Sequence, residues 1–110
     1  MRPKTAIRRR KKKCTIYTYF RNEELVHKYT YSDQNDEERK GEASESGPEV
    51  PENRDAYITE RHDAYVDVVK TLLENGGYVV TMNSRRNWHS NKSVMTTNIE
   101  YRLQPKKLSF

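Results

Sequence analysis

Apolar and polar positions alternate from Cys14 to Tyr31, apolar residues thin out from Ser32 to Arg54, a helical spacing takes over from Ile58 to Leu73, and alternation returns from Tyr78. In the first stretch, CTIYTYFRNEELVHKYTY, β-branched and aromatic residues dominate both halves around Arg21-Asn22-Glu23-Glu24, the pattern of a β-hairpin. With Asn22-Glu23 as the turn, Phe20 faces Leu25, Thr18 faces His27 and Ile16 faces Tyr29. Ile16, Phe20, Leu25 and Tyr29 then share a core face, leaving Thr15, Tyr17, Tyr19, Val26 and Lys28 on the other. Glu23 suits the second position of a type I′ turn poorly, so a four-residue loop or a bulge stays open as an alternative.

Ile58, Tyr65, Val69 and Leu72 fall on one helical stripe, with His62 and Leu73 at its edges and Asp63, Asp67, Lys70 and Glu74 off it. The helix is expected to start near Asp55. Asn75-Gly76-Gly77 stops it, since glycine takes the left-handed conformation cheaply. Tyr78 to Met82 favours a strand, and the polar stretch Asn83 to Ser93 reads as a loop. Val94 to Leu103 alternates most clearly, with Met95, Ile99, Tyr101 and Leu103 on one side and Thr96, Asn98, Glu100 and Arg102 on the other. Pro105 ends that strand.

These elements predict an α+β fold: a ββαββ two-layer sandwich with a four-stranded, mainly antiparallel sheet and one helix on one face. Residues 1–13 are expected to form a disordered basic arm, and residues 32–54, rich in acids, Gly, Ser and Pro, a disordered acidic loop interrupting a single domain at 14–107, with 108–110 as a tail. Roughly 75 residues are left to build a core, a size at which one core is marginal, so a homodimer is expected.

Charge sharpens the picture. The net charge of +5 is segregated: residues 1–13 hold eight Lys/Arg and no acid, residues 32–54 eight acids against three bases, and residues 78–110 six bases against Glu100 alone. Arg8 to Lys13 are six consecutive cations, a density that selects an anionic partner or a nuclear address. No apolar run approaches the ~20 residues of a membrane span, and the basic start lacks the apolar segment of a secretory signal. Cys14 is the lone cysteine, so no internal disulfide forms. A soluble, intracellular protein is expected, nuclear in a eukaryotic setting.

Catalytic signatures do not emerge. His27, His62, His89 and Cys14 do not stand at metal-ligand spacings, and Gly76-Gly77 follows a helix, the reverse of the order in phosphate-cradling loops. No metal, cofactor or enzymatic activity is expected. The candidate site is therefore the basic arm, Arg8, Arg9, Arg10, Lys11, Lys12 and Lys13, together with Arg85, Arg86, Trp88 and Lys92 of the loop, where guanidinium groups meet an aromatic ring suited to stacking. Trp88 serves equally well as a cap on a small core. Tyr17 and Tyr19 could stack bases from an open sheet face, but tyrosine suits strands wherever it points, and they stay outside the candidate set. The expected function is a small non-enzymatic nucleic-acid-binding accessory protein, DNA or RNA, with the arm giving affinity and the basic loop or sheet face giving placement. The alternative is a protein-interaction module that docks a partner on its open sheet face or edge, the arm acting as a localisation signal.

Overall fold

The hairpin forms in the register its alternation dictates. In the computed structural model, which describes residues 12–46, 54–81, 85–89 and 93–104, β1 (Lys12–Arg21) and β2 (Glu24–Ser32) pair antiparallel with Phe20 opposite Leu25, Thr18 opposite His27 and Ile16 opposite Tyr29. The positive φ of the turn falls on Asn22 (61°), a residue that tolerates the left-handed region, which removes the objection to Glu23.

The expected four-stranded sheet is overturned. Among the described residues six strands form one curled antiparallel sheet, a half-barrel, with one helix against it. Both added strands come from stretches read as loops. β3 (Glu38–Ser46) lies inside the acidic segment and pairs with β2 along its whole length, from Glu24 opposite Ser46 to Ser32 opposite Glu38. Its two anchors explain why so polar a segment is ordered. Asp33 builds the connecting turn, its carboxylate accepting from the backbone N–H groups of Asn35 and Glu37 (2.8 and 2.9 Å) and from Arg39 Nε (2.9 Å). Gly41 sits opposite Tyr29, and a Cβ there would overlap the tyrosine ring.

Helix α1 (Arg54–Asn75) ends at Gly76-Gly77, with Gly77 at φ 95°, and leads into β4 (Tyr78–Val80). β5 (Arg85–His89) replaces the expected loop, and β6 (Val94–Leu103) has the predicted bounds. The strand order is β3-β2-β1-β6-β4, and β5 also pairs with β6. β1 occupies one edge of β6, while β4 (Tyr78 opposite Leu103) and β5 (Arg85 opposite Asn98) follow one another along the other. Lys12 and Lys13, assigned to the arm, begin β1, and Lys12 Nζ donates to the Asp33 carbonyl and to Asp36 Oδ1, both at 3.0 Å.

The helix packs a different line from the one expected. Ile58, His62, Val66, Val69 and Leu73 are buried, whereas Tyr65 and Leu72 are half-buried. At about 100° per residue the buried face is centred near His62, an imidazole that the apolar count had placed at the rim. The physical reason lies in the sheet, which presents two hydroxyls, Thr18 and Thr97, beneath that position. Around this polar centre, Cys14, Ile16, Ile99 and Tyr101 meet Val66, Val69 and Leu73, and a second cluster joins Leu25, Ile58 and Met95. Tyr101 Oη accepts from Ser32 N (2.9 Å) and donates to Ser32 O (2.7 Å), fixing β6 to the end of β2 across β1. Among the described residues no helix is long and apolar enough to cross a membrane.

Candidate nucleic-acid interface

The sheet has one face against α1 and one turned away from it, and strand alternation assigns each side chain to one or the other. Cys14, Ile16 and Thr18 of β1 are buried under the helix, so Thr15, Tyr17 and Tyr19 stand on the outer face. In register beside them are Lys28 and Thr30 of β2, then Glu42 and Lys40 of β3: one row reads Tyr17, Lys28, Glu42 and the next Thr15, Thr30, Lys40. Tyr17, Tyr19, Lys28, Thr30, Lys40 and Glu42 line a depression of about 670 Å³. Tyr17 is 37% exposed, and Lys28 Nζ lies 5.6 Å from the centre of the Tyr19 ring, so a cation from β2 already reaches an aromatic of β1. Further along the same face Thr15 Oγ1 donates to Asn98 Oδ1 at 2.9 Å, and Lys13 stands opposite Glu100.

The residues singled out from the sequence are dispersed. Arg8, Arg9, Arg10, Lys11 and Lys92 lie outside the described residues. Lys12 is engaged with the Asp33 turn, and Lys13 is exposed at the start of β1. Because 85–89 is a strand, its side chains alternate. Arg86 and Trp88 fall on the helix side, opposite Thr97 and Met95, and Arg86 Nε lies 3.4 Å from Asp63 Oδ1 of α1. Trp88, 39% exposed, borders a cleft that also holds Asp63, Asp67 and Lys70. Arg85 is opposite Asn98 in register. Arg86 and Trp88 thus sit together, but beside two carboxylates and on the other side of the sheet from the Tyr17 depression.

Beneath the helix a second arrangement escaped the sequence reading. Thr97 Oγ1, His62, Thr18 Oγ1, His27 and Glu45 form a chain of hydrogen bonds: 2.6 Å from Thr97 to His62 Nε2, 2.7 Å from His62 Nδ1 to Thr18, 2.8 Å from Thr18 to His27 Nδ1, and 2.8 Å from His27 Nε2 to Glu45 Oε2. Arg61 Nε donates to Glu45 Oε1 at 3.1 Å. With neutral imidazoles, a carboxylate acceptor at one end leaves one assignment of protons. His27 Nε2–H donates to Glu45, Thr18 O–H donates to His27 Nδ1, His62 Nδ1–H donates to Thr18, and Thr97 O–H donates to His62 Nε2. Burial would raise the Glu45 carboxyl, but the hydrogen bonds from His27 and Arg61 hold it below the usual carboxylate range. Burial, with the Arg86 guanidinium adding to it, pushes the His62 imidazole down to about 4. Both nitrogens of each imidazole are engaged, so the role of these hydrogen bonds in the fold is to fix α1 over β1 and β6 by direction as well as by apolar contact.

A legible signal existed for part of this. The predicted hairpin register already put Thr18 opposite His27 on the core face, a polar pair that must find partners once buried. Lys40 was invisible because its strand, ERKGEASES, has no β-branched or aromatic residue. No family model matches the chain, and neither a curated protein nor a solved structure matches it.

Proposed function

We propose that this protein is a small non-enzymatic nucleic-acid-binding protein of accessory type, in which the basic N-terminal segment contacts phosphates and the outer face of the sheet places the ligand. One observation carries the reading: in sequence, the run of cations Arg8 to Lys13 overlaps the start of β1 at Lys12 and Lys13, and that strand displays Tyr17 and Tyr19 beside Lys28. Charge supplied by the segment is thereby tethered to a surface with rings for bases and ammonium groups for phosphates. The rest of the chain does not attract anions by net charge, since residues 12–110 hold 15 Lys/Arg against 16 Asp/Glu. Affinity must come from the segment, and placement from local pattern.

Retention on immobilised DNA, RNA and heparin tests this. It is expected to fall steeply with salt, and deletion of residues 1–11, which spares Lys12 and its hydrogen bonds to the Asp33 turn, is expected to remove most of it. The logarithmic salt slope is expected to shrink by about 0.7–0.9 for every phosphate that the deleted cations had neutralised. Weak retention insensitive to salt, from a protein that melts cooperatively, defeats the proposal and favours docking of a protein partner on the same face.

A further inference from the structure

We infer that the outer face of the sheet is a single-strand site, in which one unpaired base of DNA or RNA inserts between the rings of Tyr17 and Tyr19 while Lys28 and Lys40 hold the phosphates that flank it. This rests on the nucleic-acid reading above and adds the class of ligand and the residues that select it.

Three features lead there. First, Tyr17 and Tyr19 are two residues apart on one strand and stand on the same face, so their Cα atoms are about 6.7 Å apart along it. That is two intervals of the ~3.4 Å repeat of stacked bases, the spacing of a ring, a base and a second ring. Second, two cations stand at this pair of rings, one of them over the Tyr19 face. Lys28 is the cross-strand partner of Tyr17 and reaches the Tyr19 ring, and Lys40 is one strand further out, opposite Thr30. Among the described residues neither Lys28 nor Lys40 is held in an ion pair, whereas Arg21 is 3.7 Å from Glu42 and Arg86 is 3.4 Å from Asp63. Third, the rings are flanked on the β6 side by the short side chains Thr96 and Val94, with the Thr96 hydroxyl 3.1 Å from His89 Nε2. A duplex offers its bases only as edges within grooves, so stacking on these rings requires a strand whose bases are unpaired. The same depression with aliphatic residues in place of the tyrosines would hold phosphate and lose this selection.

The experiment compares binding of the full chain to fluorescent oligothymidylate, oligouridylate and a blunt duplex of equal length at several salt concentrations. Tyr17→Val and Tyr19→Val keep strand propensity, and Tyr17→Phe keeps the ring; thermal melts verify that each variant folds. Each valine variant is expected to weaken single-strand binding by roughly 5- to 150-fold and to leave duplex binding unchanged, Tyr17→Phe to bind as the parent does, and Lys28→Gln with Lys40→Gln to lower the salt slope by about one unit each. Oligouridylate and oligothymidylate titrated side by side separate RNA from DNA as the source of the strand. Folded valine variants that bind single strands like the parent, or a parent that binds duplex as tightly as single strands, overturn this inference and leave the general nucleic-acid reading standing. A folded parent that binds none of the three at low salt overturns both.

Discussion

The hydroxyl of Thr18 lies 2.7 Å from Nδ1 of His62, joining an imidazole at the centre of the helix's buried face to the first strand of the hairpin. A hydroxyl has one hydrogen to give, and Thr18 gives it to His27. Its oxygen must therefore accept from His62, which fixes the tautomer of the helix residue from a carboxylate three links away. The helix is held in one rotational setting by these bonds.

Stability should consequently depend on pH through His62. Its folded value of about 4 is below the ordinary imidazole value of 6.5, so the unfolded chain binds the extra proton first as pH falls. The contribution is fully present above pH 6.5 and is lost progressively down to pH 4, amounting to about 3 kcal/mol at 1.36 kcal/mol per pH unit. Denaturant titrations across this window are expected to show the loss, and His62→Gln is expected to flatten it. A parent protein equally stable at pH 4 and pH 7 contradicts the assignment.

Two threonines on β1 give a matched comparison. Thr18→Val keeps shape but strands His62 Nδ1–H and His27 Nδ1, both buried, at an expected cost of about 2 kcal/mol or more. Thr15→Val removes a single exposed hydrogen bond to Asn98 and should change stability by less than about 1 kcal/mol. Urea melts of both variants decide the point, with equal losses as the adverse result.

Leu73→Ala should cost about 2 to 5 kcal/mol, because Leu73 is fully buried against β1 and β6 residues. Leu72→Ala, at the half-buried edge of the helix, should cost clearly less. The order of the two in chemical denaturation tests the helix rotation directly.

Much of the backbone pattern was legible in the residues. The hairpin register, the stop at Gly76-Gly77 and the bounds of β6 follow from alternation and turn chemistry, because those strands carry β-branched and aromatic residues on a buried face. β3 and β5 were hidden for a shared reason: each lies at the rim of the sheet, where no apolar period is required. β3 is held by the Asp33 turn, the Gly41–Tyr29 packing and the Glu45 ion pair with Arg61, none of which leaves a periodic trace. The candidate site moved for the same cause. Once 85–89 is a strand, Arg86 and Trp88 must face the helix side together, away from the outer face that carries Tyr17, Tyr19, Lys28 and Lys40.

Cys14 should resist thiol reagents. It has no exposed surface, and burial pushes its thiol up to about 12, so thiolate is scarce at neutral pH. Labelling by Ellman's reagent is expected only as fast as the protein opens, rising in step with urea-induced unfolding. Rapid stoichiometric labelling of the native protein would show that β1 opens locally.

The position of β6 between β1 and the pair β4 and β5 also governs when the molecule can assemble. Tyr19 waits for Val94 and Lys12 for Tyr101, so the pairing that closes the core joins the two ends of the chain. Contacts so distant in sequence bear the loop-closure entropy before any reward, and folding is accordingly expected to be slow for a domain of this size. During synthesis β1 to β3 emerge as a meander with the inner edge of β1 unpaired, and Cys14, Ile16 and Thr18 stay uncovered until the helix and β6 arrive. A chain cut short before Val94 keeps that edge, and what it gains is a tendency to pair with copies of itself.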